Sequence, residues 1–200
     1  MPRYFRAPQW PVFTVTLIAL SVVMTLMTGF GRSLDTLQFL LISDYNGYGL
    51  PEVMSGQLWR LITPIFIHFG VLHILFNMLW LWDLGGAVEY RQGSANLGLL
   101  VLVIGVAGNL AQYYFSGPMF GGMSGVVYGL LGYVWMQGRY NPRAGLFLHQ
   151  QIVVMMLVWY AVCWTGLVGS VANMAHTMGL VVGVAWGYLA AQMRPRPRRS

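Results

Sequence analysis

The sequence is poor in charged residues and contains no lysine. Charged side chains make up 8% of its 200 residues and hydrophobic ones 57%, whereas a soluble domain usually has about 25% charged residues. This shortage excludes an ordinary soluble globule and predicts an integral membrane protein. The chain also has a single cysteine, Cys163, which lies in an apolar run. It has no partner for an intrachain disulfide, so we interpret it as a packing residue.

The net charge of +6 comes entirely from arginine. These arginines lie outside the apolar runs rather than on one basic face, so we predict no nucleic-acid partner and interpret them as orientation signals. If the N-terminus is cytoplasmic, nine arginines lie inside and only Arg32 and Arg60 outside. The positive-inside rule then predicts that both termini are cytoplasmic. The nine are Arg3, Arg6, Arg91, Arg139, Arg143, Arg194, Arg196, Arg198 and Arg199.

Apolar stretches of spanning length predict six transmembrane helices and no separate soluble domain. They are 11–30, 71–89 after a break at 68–70, two within 92–138, and two within 144–193. The segment 31–60 is predicted to be a long, partly helical, interfacial loop. We expect one transmembrane domain over residues 1–200, with short cytoplasmic tails at 1–9 and 194–200.

Four polar side chains stand out inside the apolar runs: His73, Asn77, Ser124 and His176. Such groups are costly in a bilayer, so each needs a partner or a function. His73 and Asn77 are four residues apart and share one helix face. Small-residue stripes on the fourth and sixth spans predict close packing that brings Ser124 to His176. The stripes are Gly125 and Gly129 on one span, and Gly179, Gly183 and Gly187 on the other.

The second, fourth and sixth spans all enter from the outer face in the predicted orientation, and the four polar residues lie near their starts. They should therefore meet in the outer half of the membrane. The helix from Ser124 to Gly138 would be roughly 22 Å long, against a hydrocarbon core of about 30 Å. We therefore expect a short fourth helix that begins below the outer surface, with a submerged Ser124 that water reaches.

A serine hydroxyl beside a neutral imidazole is the usual arrangement for nucleophilic catalysis. Ser124 as nucleophile and His176 as base fit this arrangement, with His73, the Asn77 amide and the Ser124 backbone N–H as candidate oxyanion donors. None of the five acidic residues is placed to orient His176, so we predict a dyad. A metal site is disfavoured, because His68 and His73 are five apart and no H-E-x-x-H occurs.

These residues resemble the rhomboid family of intramembrane serine proteases. The likeness covers nearly the whole chain and is carried by four motifs: Trp59-Arg60, His68 to His73 to Asn77, Gly122-Met-Ser124-Gly125, and Ala175-His176-Thr-Met-Gly179. It implies a six-helix rhomboid-like bundle of the minimal bacterial form, in the inner membrane. It also implies an endopeptidase that needs no cofactor and cleaves transmembrane segments near the outer leaflet.

The resemblance further implies roles for individual residues. Ser124 and His176 would be catalytic, and His73 and Asn77 would belong to the oxyanion hole. Tyr128 would stack on the His176 ring, His68 would support the loop above the site, and Glu89 would be a structural polar residue. Substrates would enter between the second and fifth spans, near Phe76 and Met156 or Trp159. The alternatives are a catalytically inactive rhomboid-like binding protein and a small transporter.

Overall fold

The computed structural model describes residues 10–44 and 49–193, and in these ranges it is helical with no β-strand. Nine α-helices occur in the described ranges: α1 (Val12–Met27), α2 (Leu34–Leu40), α3 (Pro51–Met54), α4 (Val71–Trp80), α5 (Gly86–Gln92), α6 (Ser94–Ser116), α7 (Ser124–Tyr140), α8 (Gln150–Trp164) and α9 (Asn173–Gln192). A π-helical turn, Leu81–Gly85, joins α4 to α5, and short 3-10 helices occupy Leu58–Leu61, Thr63–Phe66 and Pro142–Ala144.

Several predicted boundaries are confirmed and others shift. The break before Val71 is present, but that helix runs on to Gln92 rather than ending at Glu89. The first helix ends at Met27 rather than Phe30, because residues 29–31 adopt positive φ angles that end a right-handed helix. The helix that begins at Ser124 has 17 residues and extends to Tyr140, slightly beyond the predicted Gly138.

Helices α7 and α9 form the centre of the molecule and pack through glycine. A Cβ added at Gly179 would overlap the carbonyl oxygen of Gly125, and one added at Gly183 would lie 2.8 Å from the Cα of Gly129. The two backbones therefore touch directly. The predicted close packing of the two glycine stripes is confirmed, and it places the N-terminal ends of both helices side by side.

Glu89 attaches α1 to the second long helix. Its carboxylate accepts hydrogen bonds from the backbone N–H groups of Phe13 and Thr14 at 2.8 and 2.7 Å, and from the Thr14 and Ser94 hydroxyls at 2.7 and 2.8 Å. Phe13 and Thr14 lie in the first turn of α1, whose N–H groups have no acceptor within the helix. A carboxylate 75 residues away in the chain therefore caps α1.

The segment 31–60 is partly helical, as expected, and Arg60 holds it in place. The Arg60 side chain is 3% exposed. Its guanidinium donates to the side-chain oxygen of Gln57 at 2.7 Å, to the carbonyl of Leu41 at 3.0 Å, and to the carbonyl of Gln38. One buried cation thus ties together three points of the loop.

Three helices in the described ranges are long and apolar enough to cross a membrane: Val71–Gln92, α6 and α9. Helices α1 and α8 are apolar but have only 16 and 15 residues. At 1.5 Å per residue they reach roughly 24 Å, less than a hydrocarbon core of about 30 Å. Helix lengths thus account for three of the six predicted spans.

Candidate active site

Ser124 and His176 meet at the N-terminal ends of the two central helices. Ser124 is the first residue of α7, and His176 is the fourth residue of α9. The distance from His176 Nε2 to Ser124 Oγ is 2.7 Å. His176 is buried, whereas Ser124 is partly exposed. The imidazole is therefore in position to take the serine proton, and the serine can be reached from outside the protein.

The His176 ring is held by packing rather than by a carboxylate. The Tyr128 ring lies one turn after Ser124, and its centroid is 4.7 Å from that of the imidazole. The Tyr128 hydroxyl in turn donates to the carbonyl of Met156 at 3.2 Å. Among the described residues, which include all five acidic side chains, none bonds to His176 Nδ1, and that atom is buried. Within these ranges, Ser124 and His176 therefore form a pair without a third residue that orients the imidazole.

His73 and Gly122 border a small space beside the serine. A Cβ built on Gly122 would lie 2.7 Å from His73 Nε2 and 3.6 Å from Ser124 Oγ, so both atoms face the room that this glycine leaves. Its φ of +125° also favours glycine. His73 Nδ1 accepts the N–H of Phe69 at 3.3 Å, so a neutral ring carries its hydrogen on Nε2. The ring therefore presents a donor to this space.

Asn77 lies one turn after His73 and is 5% exposed. Its amide donates to the His73 carbonyl at 2.9 Å. One amide hydrogen is thus used within α4, where it fixes the Asn77 side chain against the turn that carries His73. The second amide hydrogen is the one available for an oxyanion.

His68 supports the loop that precedes Ser124. Its Nε2 accepts the backbone N–H of Met123 at 3.3 Å, so the ring hydrogen lies on Nδ1, which is 3.2 Å from the carbonyl of Phe66. Burial, and then the nearby His73 ring, lower the pKa of His68 from 6.5 to about 3. The Gly122 N–H donates to the carbonyl of Pro64 at 3.0 Å. Both N–H groups before Ser124 are therefore occupied.

The residues expected near the substrate entrance differ in exposure. Phe76 on α4 is 57% exposed and Trp159 on α8 is 55% exposed, so both lie on the outer surface of the bundle. Met156 is 5% exposed and packs in the core. Of the two alternatives on α8, the surface position is therefore Trp159, one turn further along the helix from the buried Met156.

Three buried polar residues that join separate elements of the bundle lay outside the sequence prediction. Gln112 on α6 accepts the N–H groups of Met174 and Ala175 at 3.0 and 3.3 Å, and so caps α9 two residues before His176. Asn109 donates to the carbonyl of Leu61 at 2.8 Å, and Gln137 donates to the carbonyl of Gly187 at 2.7 Å. The cost of polar groups in apolar spans applies to amides as well as histidine, and would have identified all three.

No group of three or more His, Cys, Asp or Glu side chains is close enough to hold a metal ion in the ranges 10–44 and 49–193.

Comparison with known proteins identifies the relatives of this chain. Residues 55–193 match the family model for the rhomboid domain. The chain is 39% identical over 185 residues to the rhomboid proteases GlpG of Salmonella paratyphi A and Salmonella typhi, covering 92% of this chain and 64% of each relative. It is 45% identical over 138 residues to GlpG of Salmonella newport, covering 68% of this chain and 50% of that protein.

The chain therefore spans less than two thirds of the length of these curated relatives. Its apolar helices and this likeness make it an integral membrane protein. The match extends from the loop before the second long helix to the end of α9, and so includes all four motifs noted in the sequence. This chain belongs to the rhomboid family.

Proposed function

We propose that this protein is an intramembrane serine endopeptidase that cleaves transmembrane segments of membrane proteins with a Ser124/His176 dyad. The observation that carries the proposal is the 2.7 Å separation of Ser124 Oγ and His176 Nε2, beside a space that His73 Nε2 faces. The relatives in Salmonella, which are named rhomboid proteases, support the same activity for this chain.

In the proposed mechanism, Ser124 Oγ attacks the scissile carbonyl carbon while His176 Nε2 takes its proton. The negative charge that develops on the carbonyl oxygen is stabilised by the His73 Nε2 hydrogen, the Asn77 amide and the Ser124 backbone N–H. The Ser124 N–H stands at a helix start, where N–H groups lack intrahelical acceptors. His176 then protonates the leaving amine, and water hydrolyses the acyl-enzyme with His176 again acting as base.

We further propose six transmembrane helices in one domain over residues 1–200, with both termini cytoplasmic in a bacterial inner membrane. In this assignment α7 is the fourth span. Its 17 residues reach roughly 26 Å, so α7 begins, with Ser124, below the outer surface of a hydrocarbon core of about 30 Å. The nine-to-two arginine asymmetry supports this orientation.

The substrates expected for this protease are membrane proteins with a single transmembrane segment that unwinds near its outer end. A peptide bond within a helix is hydrogen-bonded and shielded, so cleavage should favour segments weakened by glycine, proline or polar residues. The exposed side chains of Phe76 and Trp159 support entry between the helices that carry them. Equal cleavage of a stable all-leucine segment would contradict this part of the proposal.

The activity is tested by labelling the detergent-purified protein with a fluorophosphonate and mapping the modified residue by mass spectrometry. Labelling at Ser124 is expected, with loss of both labelling and turnover in Ser124→Ala. Ser116→Ala is the matched control, because Ser116 is an exposed serine in the last turn of α6 and outside the pair. His176→Ala should lose turnover equally, and the double variant should be no worse, because the pair acts as a unit.

Turnover by Ser124→Ala would exclude the proposed chemistry. A wild-type protein that neither reacts with the fluorophosphonate nor cleaves a transmembrane segment would favour a catalytically inactive binding protein of the same family.

A further inference from the structure

A polar cavity lies at the end of the molecule opposite Ser124. Its volume is about 430 Å³, within the range of about 300–1,000 Å³ typical of small-molecule sites. Its principal lining side chains are Arg91, Gln92, Asn96, Tyr133, Arg143 and Trp186. Trp186 is ten residues beyond His176 on α9, roughly 15 Å along the helix. The cavity is therefore separate from the site described above.

No carboxylate of the described residues neutralises the two arginines of this cavity. Arg91 and Arg143 both line it, and no acidic residue does. All five acidic side chains lie in the described ranges, where the only ion pair joins Arg60 to Asp44. The nearest acid in the sequence, Glu89, is occupied by the N-terminus of α1. Two guanidinium groups without carboxylate partners therefore favour an anion.

The donors of the cavity are positioned by their surroundings. The Gln92 side-chain oxygen accepts from the Tyr133 hydroxyl and from the Asn96 amide, both at 2.7 Å, which holds these three lining side chains together. The Gln92 amide nitrogen is buried behind these side chains and has no acceptor among the described residues. A Cβ at Gly145, whose φ is +68°, would lie 3.0 Å from the Arg91 guanidinium, so this glycine lets the cation lie against the turn.

We propose that this cavity binds the phosphate group of an anionic phospholipid. Guanidinium and amide donors suit the phosphate oxygens, and arginine binds phosphate through paired N–H groups. The cavity lies at the ends of membrane helices, where lipid headgroups are located, and basic pockets between such helices bind headgroup phosphates. Trp186 and Tyr133 add amphipathic rings of the kind found at this depth.

The test measures binding of phosphatidylglycerol, phosphatidylcholine and inorganic phosphate to the full chain in detergent. Native mass spectrometry gives the amount bound, and thermal unfolding gives the accompanying stabilisation. We expect one phosphatidylglycerol molecule to bind per chain and raise the unfolding midpoint. Arg91→Gln and Arg143→Gln should each weaken this binding about tenfold or more, the loss expected for one charge-assisted hydrogen bond.

Arg139→Gln is the matched control. Arg139 is exposed in the last turn of α7, at the same end of the molecule, and does not line the cavity. Arg139→Gln should change phosphatidylglycerol binding less than twofold. This control distinguishes the effect of general surface charge on binding from the effect of the arginines that line the cavity. If Arg91→Gln does not fold, Arg143→Gln carries the test, because Arg143 lies on an exposed turn; helix content by circular dichroism reports folding.

Three results would overturn the proposal. Equal weakening by Arg139→Gln would assign the effect to diffuse charge. Equal binding of phosphatidylcholine would show that the cavity does not select an anionic headgroup. The third result is that inorganic phosphate displaces phosphatidylglycerol at low millimolar concentration and gives the same stabilisation. The ligand of the cavity would then be a soluble phosphate compound instead of a lipid.

Discussion

The contact between α7 and α9 makes Gly179 a sensitive position. A Cβ placed there overlaps the carbonyl oxygen of Gly125 and lies 2.9 Å from the Gly125 carbonyl carbon, whereas carbon atoms in good contact are about 3.5–4.0 Å apart. Gly179→Ala therefore requires the two backbones to separate by about 1 Å. Because Gly125 adjoins Ser124, the same movement would lengthen the Ser124–His176 distance from 2.7 Å to about 3.7 Å, beyond hydrogen-bond reach.

We expect Gly179→Ala to lower turnover about 100-fold, since a displacement of about 1 Å costs this much. Overpacking should also destabilise the protein by about 1–3 kcal/mol. The assay compares thermal unfolding and cleavage of a transmembrane substrate in one detergent. Gly86→Ala is the matched control, because its Cβ would meet nothing nearer than 3.8 Å, and an alanine in a helix with room is neutral or stabilising. Wild-type stability and turnover in Gly179→Ala would refute the reasoning.

Three further predictions concern the oxyanion donors, the cap of α1 and the buried His68. His73→Ala and Asn77→Ala should each leave activity reduced about 10²- to 10³-fold in kcat, and unchanged kcat would remove that residue from the oxyanion hole. Glu89→Gln should lower stability by about 1–3 kcal/mol because the cap of α1 loses its charge, while the exposed control Asp83→Asn on the same helix should not; equal unfolding midpoints would exclude the cap. The unfolded chain takes up a proton on His68 near pH 6.5 that the folded chain resists until about pH 3, so stability should fall as pH drops through this window. His68→Gln should flatten the measured pH dependence of the unfolding midpoint there, and an unchanged slope would contradict the assignment.

The sequence alone was sufficient to locate the elements that carry the pair. Helical periodicity places His176 on the same face as Gly179, Gly183 and Gly187 in any right-handed helix, whatever surrounds it. A glycine stripe on a second apolar helix then leaves few ways to pack the two. The close contact of α7 and α9 could therefore be predicted from local rules, as could the break before Val71, where Gly70 follows His68 and Phe69.

The tertiary structure decided which groups complete these elements. Neither α1 nor α9 has a capping side chain next to it in the sequence, and their caps come from Glu89 and Gln112 on other helices. Likewise, the hydrogen on His68 is placed by the Met123 N–H, 55 residues away in the chain, and the Arg91 cavity arises where the ends of separate helices meet. Local rules act over about four residues, whereas these partners are brought together by packing across the bundle, so only the folded chain determines them.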